Sequence, residues 1–152
     1  MFDTPIQTTL GLSPTTLDVT ITMRNAAAVV GEVVKFDLGA SDDLVTTNDV
    51  GSSAGVFANC IEASHPATAG TVHGVCLEAI AENATGKVRV RGIVDALGGD
   101  TTARGGVLTV DGNGNLEIAN TASDLVIAVA LEALEDGVLK SVLFDGTGMG
   151  TV

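Results

Sequence analysis

The chain contains no tryptophan and no tyrosine, and only four phenylalanines in 152 residues. Nucleobases and sugars are commonly gripped by stacking on such rings, so single-stranded nucleic acid and glycans lose their usual platform. Cationic side chains are scarce as well: seven Lys and Arg stand against nineteen Asp and Glu, a formal net charge of −12. A phosphate backbone is held by clustered Lys and Arg and repelled by an acidic surface. Neither nucleic acid nor an anionic membrane is therefore expected as a direct partner. Long apolar runs are missing too. The longest strongly apolar stretch, Leu125 to Leu131, falls far short of the ~20 residues of a membrane helix. The opening Met1-Phe2-Asp3-Thr4-Pro5 has neither the basic nor the apolar region of a secretory leader, which points to synthesis in the cytoplasm. There the two cysteines, Cys60 and Cys76, are expected to remain free thiols.

What is present is mostly small and β-branched. Val, Ala, Gly and Thr dominate, and 45% of the residues are hydrophobic, enough to fill the core of one domain of this length. Such side chains suit closely packed sheets. Residues 1–16 read as an arm: Thr-rich, with Pro5 and Pro14, and without sustained periodicity. Leu17, Val19, Ile21 and Met23 then alternate with Asp18, Thr20, Thr22 and Arg24, the signature of a half-buried strand. A second strand is predicted over 33–38. Residues 39–70 read as a surface excursion with one strand inside it. Further strands are predicted over 72–80, 87–94, 106–110, 116–118, 125–134 and 138–144, with turns at 82–86, 111–115 and 135–137. Helix is an alternative for 75–84 and 125–134, where Ser123-Asp124 could form a cap, but both segments are short and lie between turn signals. The predicted organisation is an arm (1–16), a single β domain (17–145) and a Gly-rich tail (146–152).

A half-repeat runs through the domain. Gly31-Glu32-Val33-Val34-Lys35-Phe36-Asp37 matches Gly105-Gly106-Val107-Leu108-Thr109-Val110-Asp111, and Val75-Cys76-Leu77-Glu78-Ala79-Ile80 matches Val129-Ala130-Leu131-Glu132-Ala133-Leu134. A Gly-ended turn and another strand follow each: Gly86-Lys87-Val88-Arg89-Val90 and Gly137-Val138-Leu139-Lys140-Ser141-Val142. A duplicated unit too small to bury its own face implies an all-β fold, a small barrel or sandwich built from two related β-meander halves.

These segments, from GTVHGVCLEAIAENATGKVRVRG to GGVLTVDGNGNLEI and LVIAVALEALEDGVLKSVLF, resemble the tailed-phage capsid decoration (cement) proteins over roughly residues 17–145. The excursion at 39–70 is longer than that pattern has. The resemblance implies a small β-rich subunit that binds the outer surface of a phage capsid. It implies the major capsid protein and other copies of itself, as a homotrimer, for partners, and stabilisation by bridging capsomers without catalysis. A head-fibre base or a glycan- or cell-surface-binding module is the alternative.

Chemistry-bearing constellations are weak. Cys60, His65, His73 and Cys76 are close in sequence, but their spacing matches no common zinc knuckle, and no metal or other cofactor is expected. A Cys–His nucleophile pair with Asp95 or Asp100 would need spatial contact that sequence does not supply. No G-x-S-x-G, P-loop or H-E-x-x-H occurs, and no enzyme activity is expected. Asp111-Gly112-Asn113-Gly114-Asn115 starts like a calcium loop but has Leu116 and Ala122 at positions six and twelve, where an EF-hand needs Gly and an acid; a hairpin turn fits better. The candidate partner-binding residues are of two kinds. Phe2, Ile6, Leu10 and Leu12 are apolar side chains on an extended arm able to add to a neighbour's sheet edge. Lys87, Arg89 and Arg91 place three of the seven positive charges on one strand face, either paired with acidic neighbouring strands or available to an acidic partner.

Overall fold

The computed structural model describes residues 15–24, 26–36, 61–64 and 72–152. The regular structure of these residues is all strand: β1 (Leu17–Met23), β2 (Val33–Phe36), β3 (Ile61–Ser64), β4 (His73–Cys76), β5 (Thr85–Leu97), β6 (Val107–Val110), β7 (Leu116–Ile118), β8 (Leu125–Val126), β9 (Ala128–Ala130), β10 (Leu139–Asp145) and β11 (Gly150–Thr151). The all-β expectation holds, and the helix alternative for 75–84 and 125–134 does not. Nine strands form one sheet in the order β1-β3-β2-β4-β5-β10-β9-β6-β7, and β1 also pairs with β5, closing the first five into a barrel.

The long strand β5 organises the molecule. It has 13 residues, and Gly86, Val88, Val90, Gly92, Val94 and Ala96 are buried in unbroken alternation. Its first half lies between β4 and β1, and its second half pairs with β10. Leu17 of β1 and Asp145 of β10 both stand opposite Arg91, so β1 begins where β10 ends, along the same edge of β5. From β10 the sheet continues through β9 and β6 to β7. A parallel bridge, Gly98 to Leu116, returns it to the end of β5, and the Gly99 N–H donates to the Leu116 carbonyl at 2.8 Å. The second circuit thus retraces the first, with β5 as the strand common to both.

The half-repeat recurs in the backbone bonding, with Ser141 and not Val138 in the place of Lys87. In the first half Leu77 N–H donates to the Lys87 carbonyl (3.0 Å), and Ile80 and Ala28 exchange backbone bonds. In the second, Leu131 N–H donates to Ser141 (3.1 Å), and Leu134 and Thr102 make the exchange. The glutamate of each Leu-Glu-Ala triplet caps the bend: Glu78 accepts from the Lys87 N–H at 2.9 Å, and Glu132 from the Ser141 N–H at 2.7 Å. At those bends the strands predicted over 72–80 and 125–134 end early, at Cys76 and Ala130, and each segment rejoins its neighbour as a single bridge; the second is also divided at Ile127 into β8 and β9. The halves also depart from plain meanders, since β3 stands between β1 and β2 and runs parallel to β1.

Two cores result. One gathers Ile21, Met23, Val34, Phe36, Cys76, Ile80, Val88 and Val90. The other holds Val94, Leu108, Leu116, Ile127, Leu134, Val142 and Phe144, together with Val33 and Val75. Strands β2 and β4 therefore bury both faces and form the wall between the cores, which is why Val33-Val34 does not alternate with polar residues. Backbone contacts lock the seam. Val33 N–H donates to the Gly114 carbonyl at 2.7 Å and His73 N–H to the Gly146 carbonyl at 2.9 Å. A Cβ at Gly146 would overlap the His73 carbonyl oxygen. The tail returns to the domain, with Met149 N–H donating to Val126 at 2.7 Å and β11 pairing with β8.

Candidate interaction surface

Lys87, Arg89 and Arg91 occupy the outward face of β5, as the alternation predicts. The two arginines are paired by the flanking strands. Arg89 grips Asp18, its register neighbour on β1, through Nε–Oδ1 at 2.8 Å and Nη2–Oδ2 at 3.0 Å, and its Nη1 donates to the Ile93 carbonyl at 2.7 Å. The Arg89 hydrogen bond, reinforced by its charge, holds the Asp18 carboxyl below its ordinary range. Arg91 meets Asp145, directly opposite on β10, with Nη2–Oδ2 at 2.9 Å. Phe2, Ile6, Leu10 and Leu12 lie outside the described residues, as do Cys60 and His65.

Beyond the arginines the same face turns apolar. Ile93 stands opposite Leu143, Leu143 opposite Val129, and Val129 opposite Val107. These four residues form one outward row across β5, β10, β9 and β6. Ile93 is 44% exposed, Leu143 37% and Val107 39%. Leu139 and Val30 extend the apolar surface on one flank, where with Ile93 they line a cleft of ≈ 350 Å³. On the other flank a cleft of ≈ 310 Å³ lies between Thr15, Arg91, Leu143, Asp145 and Met149. Single exposed apolar side chains are ordinary, whereas a contiguous row marks a contact surface. Sequence reading missed this row. Its signal was there in the adjacent apolar pairs Ile93-Val94, Val107-Leu108 and Leu143-Phe144, since a strand with one wet face should not carry apolar neighbours.

The other candidates resolve into structure. His73 is fully buried on β4, neither ring nitrogen has a hydrogen-bond partner, and burial pushes its pKa down. Cys76 is a buried free thiol whose pKa burial pushes up to about 12, the opposite of an activated nucleophile. The Asp111–Asn115 segment is a hairpin turn between β6 and β7: Asp111 Oδ1 accepts from the N–H groups of Asn113 and Asn115, both at 2.8 Å. Among the described residues no group of His, Cys, Asp and Glu is arranged to hold a metal, and no helix is long and apolar enough to cross a membrane.

No protein-family model matches the sequence, and no curated protein matches it. Among solved structures, the fold is similar to the N base of the head fibre protein gp8.5 of bacteriophage phi29, with a TM-score of 0.58 and 14% sequence identity, over 89% of this chain and 98% of that one. At that identity the likeness is one of fold, and it spans nearly all of the phage domain.

Proposed function

We propose that this chain is a structural protein of a tailed-phage head, carried on the outer capsid surface. The observation that supports this most directly is the fold shared with a head-fibre base over 98% of that domain. The acidic, aromatic-poor composition and the buried, unactivated Cys76 fit a protein that acts by contact and not by catalysis. In its finer form the proposal is a decoration protein: copies associate, as a homotrimer, and bridge capsomers of the major capsid protein. The apolar residues of the arm, Phe2, Ile6, Leu10 and Leu12, reach the shell, and Lys87 contributes charge at the subunit boundary, while Arg89 and Arg91 pair with Asp18 and Asp145 of the same chain. Many weak contacts presented together would give the avidity such a clamp needs.

The same fold likeness favours a second reading, a base that anchors a fibre to the head. One experiment separates the two. Purified chain is added to expanded capsid shells, and both co-sedimentation and the shells' thermal disruption temperature are followed. A decoration protein binds in regular stoichiometry and raises that temperature. A fibre base binds at few sites and leaves it unchanged. Absence of binding to any shell would sink both.

A further inference from the structure

The half-repeat carries the outward row twice. In the second half it runs Ile93–Leu143–Val129–Val107 through consecutive register pairs. In the first half the matching row runs Asp18–Arg89–Val75–Val33, again through consecutive register pairs, on β1, β5, β4 and β2. Sequence and bonding fix the match independently. Val33 aligns with Val107 and Val75 with Val129, while Lys87 and Ser141 accept the equivalent backbone bond, which sets Arg89 against Leu143.

The two rows differ in what lies over them. Val33 and Val75 are fully buried, because the second half packs on them: both belong to its core, and Val33 N–H donates to the Gly114 carbonyl. Beyond that cover the first row ends in the ion pair of Arg89 with Asp18, which tolerates water. The second row has Ile93 and Leu143 in those two places, so it is the more apolar, yet it stays open to solvent. Within this molecule, the thing that covers such a row is a further copy of the same unit. A unit to cover the second row comes from another chain. Charge favours the same partner. Copies of a chain with net charge −12 repel each other over most of their surface. The row is uncharged, and the carboxylates beside it are engaged: Asp18 by Arg89, Asp145 by Arg91 and Asp95 by the Ser141 hydroxyl. We propose that the row Ile93–Leu143–Val129–Val107 is the contact surface for a second copy of this chain. The inference rests on the homotrimer of the capsid reading and deepens it by naming the surface through which copies meet.

Light scattering on the isolated full chain should give a discrete multiple of the chain mass at high concentration and the single-chain mass on dilution. Leu143→Ser with Val107→Ser should weaken that association on the order of a hundredfold, with the far-UV circular dichroism unchanged. Ile118→Ser, which removes an exposed apolar side chain outside the row, should leave the mass as it was. Should the Ser pair fail to fold, the native chain gives an independent reading: apolar dye bound per chain should fall severalfold as concentration is raised through the association. A single-chain mass at every concentration overturns the proposal. So does an oligomer whose mass the Ser pair leaves unchanged, or whose formation leaves dye binding per chain unchanged. A dimer that the pair dissociates upholds the row and removes the homotrimer, whereas a trimer that the pair leaves intact does the reverse. Binding to capsid shells is read separately, so failure of the row and failure of the capsid reading are distinct results.

Discussion

His73 offers the sharpest test of the packing. Its imidazole is fully buried between the two cores, and both ring nitrogens lack partners. Lys35, opposite on β2, adds to the effect of burial in disfavouring the charged ring, while the Gly146 carbonyl works against it. An unsatisfied buried polar group costs about 1–3 kcal/mol. Replacing His73 with Leu, similar in volume and free of polar atoms, should therefore stabilise the protein at pH 8 by about 1–2 kcal/mol, or roughly 2–8 °C in Tm for a chain of this size. The acid limb separates this from a simple packing gain. The folded-state pKa is depressed, so the unfolded chain binds the proton first. Stability is complete above the ordinary histidine value of 6.5 and is lost as pH falls from there towards the folded pKa. Each unit of depression removes about 1.4 kcal/mol from the wild type and nothing from the variant, so the gap between them should widen steadily below pH 6.5. Glu117 has the opposite sign: burial first, and then Asp111, Asp124 and Asp100, raise its pKa. Its contribution is present below the ordinary carboxyl value and lost as pH rises through the folded value, and it cancels in the difference between the two proteins. Chemical denaturation at pH 8, 6.5, 5.5 and 5, with His65→Gln as a control on the other histidine, measures the gap. A constant gap across that range, or a variant less stable at pH 8, would refute the reasoning.

Four further outcomes follow from the geometry. Phe144 is fully buried in the second core, and Phe144→Ala should cost about 3–5 kcal/mol. Because β5 serves both halves, unfolding should remain a single transition by circular dichroism and by hydrogen exchange in both cores, and separate melting of the halves would contradict the shared-strand account. Glu78→Ala and Glu132→Ala each delete a carboxylate that caps one backbone N–H. Each should cost about 1 kcal/mol, and the two should be nearly equal by urea titration, which a merely superficial repeat would not produce. In a Cys60→Ser background, Cys76 should resist a thiol reagent at pH 8 and react only at the rate of unfolding, since its thiol stays protonated up to about 12; rapid labelling of the native protein would show that β4 is less well covered than described.

The sequence alone determined the class of fold and its duplication. β-Branched alternation, Asp-Gly and Asn-Gly turns and the paired Leu-Glu-Ala segments are local signals, set by a side-chain period of two and by backbone chemistry within a few residues. The alternation of Val88 and Val90 with Lys87, Arg89 and Arg91 belongs to the same kind. Tertiary structure alone decided how the strands close. Nothing local tells β5 to run on for 13 residues and serve two circuits, or β3 to insert beside β1, because such pairings join residues from 40 to 74 positions apart. It also decided which side chains matter. Arg89 and Arg91 look alike in sequence but meet Asp18 and Asp145 on different strands. The row Ile93–Leu143–Val129–Val107 exists only because three registers coincide: a single strand reports which of its residues point the same way, and only the assembled sheet fixes what stands beside them.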